Sequence, residues 1–143
     1  MTEPVNYTDV QPGTRLPTRV FTVGRADLVR YAGASLDFNT IHWSERAARD
    51  AGLPNVIAHG ALTMALALRA LTDWAGDPAA VRDYRARFSK PVVVPDDGEP
   101  ARVQVEAVVA EKLDSPRVRV SVTATCGADK VLVMPRVLVA LKE

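Results

Sequence analysis

Cysteine is almost missing from this chain: among 143 residues only Cys126 carries a thiol. One cysteine closes no internal disulfide and builds no zinc site of paired thiolates. The fold must therefore rest on its apolar core, and the scarcity of thiols suits a reducing cytoplasm. Charge of one sign is lacking as well. Lys and Arg total 18 against 17 Asp and Glu, a formal net charge of +1. No global field draws such a chain to nucleic acid or to an anionic membrane. Long apolar runs are absent too. The longest, residues 64–68 and 137–141, fall far short of the roughly 20 residues that span a bilayer. The opening stretch MTEPVNYTDVQPG is polar and contains Pro4 and Pro12. It offers neither the basic nor the apolar region of a secretory signal. The expectation is a cytoplasmic protein with no membrane insertion and no nucleic-acid partner.

What is present is ordinary globular material, 48% apolar and 24% charged, without repeats or a linker. Residues 1–143 are expected to form one domain. Residues 19–23 read as a short strand and 26–32 as a helical turn, with Leu28 and Tyr31 on one side. Residues 35–43 have no period and read as loop. Ser44 is placed to cap a short helix over 45–51, closed by Gly52. After Pro54, residues 58–74 (AHGALTMALALRALTDW) give the strongest helical signal. The first half of that helix is apolar on nearly every side, which predicts burial all round. Gly76-Asp77-Pro78 ends it.

From Tyr84 onward the period becomes two. Tyr84, Ala86 and Phe88 alternate with polar residues, as do Val103, Val105, Ala107 and Val109, and again Val118, Val120, Val122 and Ala124. Residues 131–141 form a last apolar strand, in which Pro135 predicts a bulge or an edge. Asp114-Ser115-Pro116 and Gly127-Ala128-Asp129 read as hairpin turns. Hairpins in series make an antiparallel sheet, and one apolar helix must bury itself on that sheet. The expected class is α+β: a curved antiparallel sheet of about five strands around a long central helix.

Chemistry is concentrated between Tyr31 and Gly60. Asp37 and His42 lie five residues apart. Five residues turn a helix by roughly 140°, so the two side chains converge only if the chain between them bends. Asn39 suits such a bend. A carboxyl and an imidazole in one cleft can share acid and base duties. Ala58-His59-Gly60 stands at the start of the apolar helix, where the first N–H groups lack intrahelical partners. Gly60 lets an oxygen approach its N–H closely, and the helix dipole adds positive potential there. That combination suits a carbonyl developing negative charge. His59 reads as a hydrogen-bonded packing residue at the helix start. Cys126 continues the inward face of Val118–Ala124 as a buried, inert thiol. Arg82, Arg85, Arg87 and Lys90 read as a solvated strand face, equally able to meet a phosphate or an acidic protein.

Residues 31–48 resemble the signature of the MaoC-like, (R)-specific enoyl hydratases: an aromatic, small residues, then D-x-N-P-aliphatic-H and a trailing small residue. Here it runs Asp37-Phe-Asn39-Thr40-Ile41-His42, with Ala48 in the trailing place and Ala58-His59-Gly60 following. Leu36 stands where the signature has Gly, and Thr40 where it has Pro. Residues 75–88 are similar to the β subunit of (3R)-hydroxyacyl-ACP dehydratases of the mycobacterial type.

The resemblance implies a hot-dog fold. It also implies hydration of a trans-2-enoyl thioester, or the reverse dehydration of a (3R)-hydroxyacyl thioester, on coenzyme A or acyl carrier protein. In dehydration His42 would take the C2 proton and Asp37 would protonate the leaving hydroxyl; the residues themselves leave the exchanged roles open. Gly60 N–H would polarise the thioester carbonyl and Asn39 would hold the turn. No metal and no cofactor are implied. A homodimer, or a heterodimer with a related subunit, is expected, with the sheet continued across the interface.

Two other functions fit a hot dog. One is a non-catalytic acyl-binding or stabilising subunit, against which both Asp37 and His42 count. The other is a thioesterase, which generally needs a carboxylate on the central helix; residues 60–72 hold none.

Overall fold

The valine-rich second half of the chain builds the sheet. β4 (Ala101–Lys112), β5 (Arg117–Cys126) and β6 (Asp129–Ala140) run antiparallel through the two expected turns. β1 (Arg19–Val23) lies along the outer side of β4, with Phe21 opposite Val103. β2 (Val81–Asp83) and β3 (Arg87–Phe88) both pair with β6, giving the order β1-β4-β5-β6-β2 with β3 beside β6. The sheet thus has six strands rather than about five. The computed structural model describes residues 3–143.

Pro135 lies between the two stretches of β6 that the short strands pair with. Val120 pairs with Val137 and Val122 with Met134, so Ser121 faces both Pro135 and Arg136. This is a bulge, placed where proline has no N–H to give. β2 pairs with residues 138 and 139, and β3 with 132 and 133, so the two short strands flank the bulge. The strand expected over 84–89 is therefore reduced to Arg87–Phe88. Of its apolar members only Ala86 packs against the core; Tyr84 is 40% and Phe88 52% exposed.

The chain has three helices, α1 (Arg25–Ser35), α2 (Glu45–Asp50) and α3 (Gly60–Ala75), of which α3 packs on the sheet. α1 continues past residue 32 into the expected loop. Only Leu28 and Ala32 of it are buried, so its apolar period was too sparse to show its length. It ends at Leu36, whose φ of 61° is left-handed. α2 begins as expected, with Ser44 Oγ accepting the Ala47 N–H at 3.2 Å. α3 starts at Gly60, two residues later than expected, because Ala58 N–H bonds Val92 O instead. It stops at Gly76, whose φ of 71° glycine adopts freely.

Ala67, Ala70, Leu71 and Ala75 press α3 onto the valines of β4, β5 and β6. Burying Leu71 alone contributes about 2 kcal/mol. Burial all round is not observed. Ala61 and Ala65 are exposed, and Leu62, Met64 and Leu66 are half-buried. A single sheet covers one side of a helix, and the other side of α3 is left open. Cys126 is likewise only half-buried at the end of β5. The architecture is α+β and is the hot dog. Among the described residues, no helix is long and apolar enough to cross a membrane.

Candidate active site

Short polar side chains fold the loop after α1. The left-handed turn at Leu36 sends the chain away from the helix axis. Ser35 Oγ accepts the Asp37 N–H at 3.2 Å, Asp37 Oδ1 accepts the Asn39 N–H at 3.2 Å, and Asn39 Oδ1 accepts the Ile41 N–H at 3.4 Å. Each acceptor serves the residue two places ahead, the local geometry that Asx and Ser turns favour. Asn39 thereby caps a 3-10 turn over Thr40–His42. This is the bend that the five-residue spacing demanded.

His42 is 8% exposed. Its Nδ1 lies 2.8 Å from the carbonyl oxygen of Ile57. A carbonyl can only accept, so Nδ1 carries the proton and Nε2 is left with a lone pair. A carboxylate oxygen of Asp37 and ring nitrogens of His42 and His59 lie within 4.8 Å of one another. The structure therefore brings Asp37 and His42 together. It does not bury both: Asp37 is exposed in the single chain, whereas a shared apolar cleft was expected. Leu36, Phe38 and Trp43 around it are exposed apolar groups, with Trp43 Nε1–H bonded to Phe38 O at 3.0 Å.

His59, expected to be a packing residue, is 1% exposed and lies parallel to His42, ring centroids 3.8 Å apart at 22°. Its Nε2–H donates to the Asp37 carbonyl at 3.1 Å, and Tyr31 of α1 meets its ring at 4.8 Å. Gly60 follows directly as the first residue of α3. A Cβ on Gly60 would lie 3.2 Å from Cε1 of Phe88, so the glycine permits close approach at the helix start, and Phe88 occupies part of that approach.

Asp37, His42 and His59 are the one cluster among the described residues with three groups able to ligate a metal. Each ring already commits one nitrogen to a backbone carbonyl, His42 Nδ1 to Ile57 and His59 Nε2 to Asp37, which leaves one lone-pair nitrogen per ring.

Beside the site, a groove of about 550 Å³ runs between β1, α1 and α3, lined among others by Phe21, Tyr31, Leu62, Leu66 and Arg69. A second hollow of about 590 Å³, with Arg19, Asp73, Trp74 and Pro78 in its wall, lies at the other end of α3. Its first lining residue on α3, Ala70, stands ten residues and roughly 15 Å along the helix from Gly60, away from the pair. Arg82, Arg85, Arg87 and Lys90 are all exposed, and Lys90 pairs with Asp129 at 3.0 Å.

Sequence reasoning missed three supports. The Ile57 carbonyl is backbone and has no residue signal. Tyr31 was visible as the aromatic of the signature, but its contact with His59 was not. Arg25 binds Val94 O at 2.5 Å, Glu45 Oε1 at 2.9 Å and Asn55 Oδ1 at 2.9 Å. It ties α1 and α2 to the segment that carries Ile57.

Fold and site together define a hot-dog domain with an aspartate and a histidine gathered at the start of its central helix. The family model for the MaoC like domain matches residues 6–129, and the chain belongs to that family. Over 93 residues it is 40% identical to 3-hydroxyacyl-thioester dehydratase X of Mycobacterium tuberculosis, covering 65% of this chain and 32% of the relative. A solved MaoC-like dehydratase superposes with a TM-score of 0.89 at 39% identity, over 96% of this chain and 42% of that one. R-hydratase PhaJ1 from Pseudomonas aeruginosa gives 0.84 at 25% identity, over 98% and 88%. The chain thus spans about one third of the curated relative and under half of the first of these solved chains.

Proposed function

We propose that this chain is a hydro-lyase interconverting trans-2-enoyl and (3R)-3-hydroxyacyl thioesters. The observation that carries the reading is the approach of the Asp37 carboxyl to the buried His42 imidazole, within 4.8 Å, beside the start of α3. Dehydration then proceeds as follows. His42 Nε2 takes the C2 proton, and the electron pair moves into the thioester, where the Gly60 N–H meets the charge forming on oxygen. The pair returns to form the C2–C3 double bond as the C3–O bond breaks. Asp37, protonated, delivers its proton to the departing hydroxyl, which leaves as water. Hydration is the same path reversed. Asn39 holds the loop and does not react. No metal or cofactor is needed for these transfers.

The thioester is carried on coenzyme A or acyl carrier protein, with Arg82, Arg85 and Arg87 as exposed cations able to meet either. The acyl chain lies in the groove by Tyr31, Leu62 and Leu66. Residues 1–143 act as one domain, and the shared core of the described residues supports this. The open side of α3 and the exposed loop around Asp37 support pairing with a second hot-dog domain, either another copy or a related subunit. The single cysteine supports a cytoplasmic location. The purified chain, assayed alone on trans-2-enoyl-CoA substrates of several lengths with its mass measured in solution, tests the reading. Loss of the enoyl absorbance is expected; a chain inert on every length, alone and with a related subunit, refutes it.

A further inference from the structure

We propose that His59 is a positioning residue that locks Asp37, His42 and the N–H of Gly60 into one register. The proposal rests on the reading of Asp37 and His42 as an acid–base pair. Its basis is where the loop of residues 36–40 is tied. Among the described residues, every other hydrogen bond of those five runs within residues 32–44: Leu36 N–H to Ala32, Asp37 N–H to Ser35, Asp37 Oδ1 to Asn39, Asn39 to Ile41 and His42, Phe38 O to Trp43, and Thr40 O to Trp43 and Ser44. The bond that joins this exposed loop to the central helix is His59 Nε2–H to the Asp37 carbonyl, at 3.1 Å. The same ring backs His42 at 3.8 Å and touches Tyr31. One side chain therefore contacts both members of the pair and precedes the oxyanion donor in the chain.

Neither ordinary structural role accounts for a histidine here. Its side chain does not cap α3. As core filling it is a poor choice, because Nδ1 is buried with no hydrogen-bond partner among the described residues. An orphaned buried acceptor is destabilising, and a phenylalanine of similar shape would avoid it. What histidine adds over phenylalanine is the Nε2–H donor, aimed at the carbonyl of the proposed acid. Misplacing a reacting group by about 1 Å can lower turnover about a hundredfold.

The test compares His59→Phe, which keeps a flat ring and removes the donor, with His59→Gln, which keeps a donor at a similar reach and removes the ring. With enoyl-CoA as substrate, His59→Phe is expected to lose kcat about a hundredfold with KM within about threefold and no fall in melting temperature. His59→Gln is expected to recover to within about tenfold of the parent. An undiminished kcat in His59→Phe overturns the proposal. So does a loss that tracks a fallen melting temperature and is equally deep in His59→Gln. Backbone amide spectra give a readout that needs no turnover: the Asp37–Thr40 amides shift and exchange faster in His59→Phe and stay in place in His59→Gln. Unmoved amides in His59→Phe overturn the proposal. A parent chain silent on all thioesters, with amides responding as described, defeats the hydratase reading and leaves the His59 tie standing.

Discussion

The carbonyl of Ile57 receives the Nδ1–H of His42 at 2.8 Å, while the Ile57 N–H bonds back to the carbonyl of Ile41 at 3.2 Å. The two bonds clip the 3-10 turn to the strand-like segment before α3. They also choose the tautomer, so Nε2 is the nitrogen able to accept a proton. His42→Ala and Asp37→Asn are each expected to lower enoyl-thioester hydration at least about a hundredfold. Asp37→Asn should melt within a few degrees of the parent, because Asp37 is exposed; His42→Ala also removes a buried, stacked ring and should melt lower, so its turnover is compared at a temperature where it stays folded. Near-normal turnover in either variant would remove it from the pair.

Gly60→Ala separates chemistry from stability at the start of α3. The added methyl lies 3.2 Å from the tip of Phe88, an exposed ring with room to shift. Alanine is also the better helix former, by up to about 1 kcal/mol. The variant should therefore melt no lower than the parent, yet turn over tenfold or more slowly, on the order of one weakened oxyanion contact. A variant with full kcat would show that the Gly60 N–H does not serve the carbonyl.

Leu36→Gly should stabilise the chain. Leucine is held at φ 61° with its side chain largely in water, 75% exposed. A left-handed residue with a Cβ is disfavoured by about 1 kcal/mol, and the truncation gives up little burial. Thermal unfolding is expected to move up by about 3 °C. An unchanged or lower midpoint would mean that the loop gains more from the leucine side chain than the backbone loses.

Arg25→Ala should loosen the frame behind His42. The guanidinium binds one carbonyl, one carboxylate and one amide oxygen on three different segments. Its side chain is 24% exposed, so the ion pair with Glu45 counts for less than the hydrogen bonds to Val94 and Asn55. Removal is expected to cost about 3 kcal/mol, read as a fall of about 10 °C in the unfolding midpoint. Arg25→Lys should recover only part of it, since an ammonium cannot reproduce the planar fork.

The long β4, β5 and β6, both hairpin turns, the bulge at Pro135 and the Ser44 cap were legible because each follows from a local rule. Alternation marks a half-buried strand, and a missing N–H or a short polar side chain marks a break or a cap. The extent of α1 was hidden because only Leu28 and Ala32 face the core. The Tyr84–Phe88 alternation misled because ladder pairing lapses opposite Pro135, a relation between segments some fifty residues apart. In the candidate site, the bend that brings Asp37 toward His42 was legible from their spacing and from Asn39 between them, whereas the role given to Gly60 came from the resemblance. The Ile57 carbonyl and the stacking of His59 on His42 were not legible, since both depend on how two loops meet in space.

The exposure of Asp37 carries a last consequence. Bulk water beside a carboxyl damps its field with a dielectric near 80, and the same group behind a dry cover acts several times more strongly. Whatever seals the rim formed by Leu36, Phe38 and Trp43 therefore takes part in the rate without touching the reacting atoms. If a second copy of the chain is that cover, catalytic output per chain declines on dilution; if a related subunit is, output depends on its concentration instead.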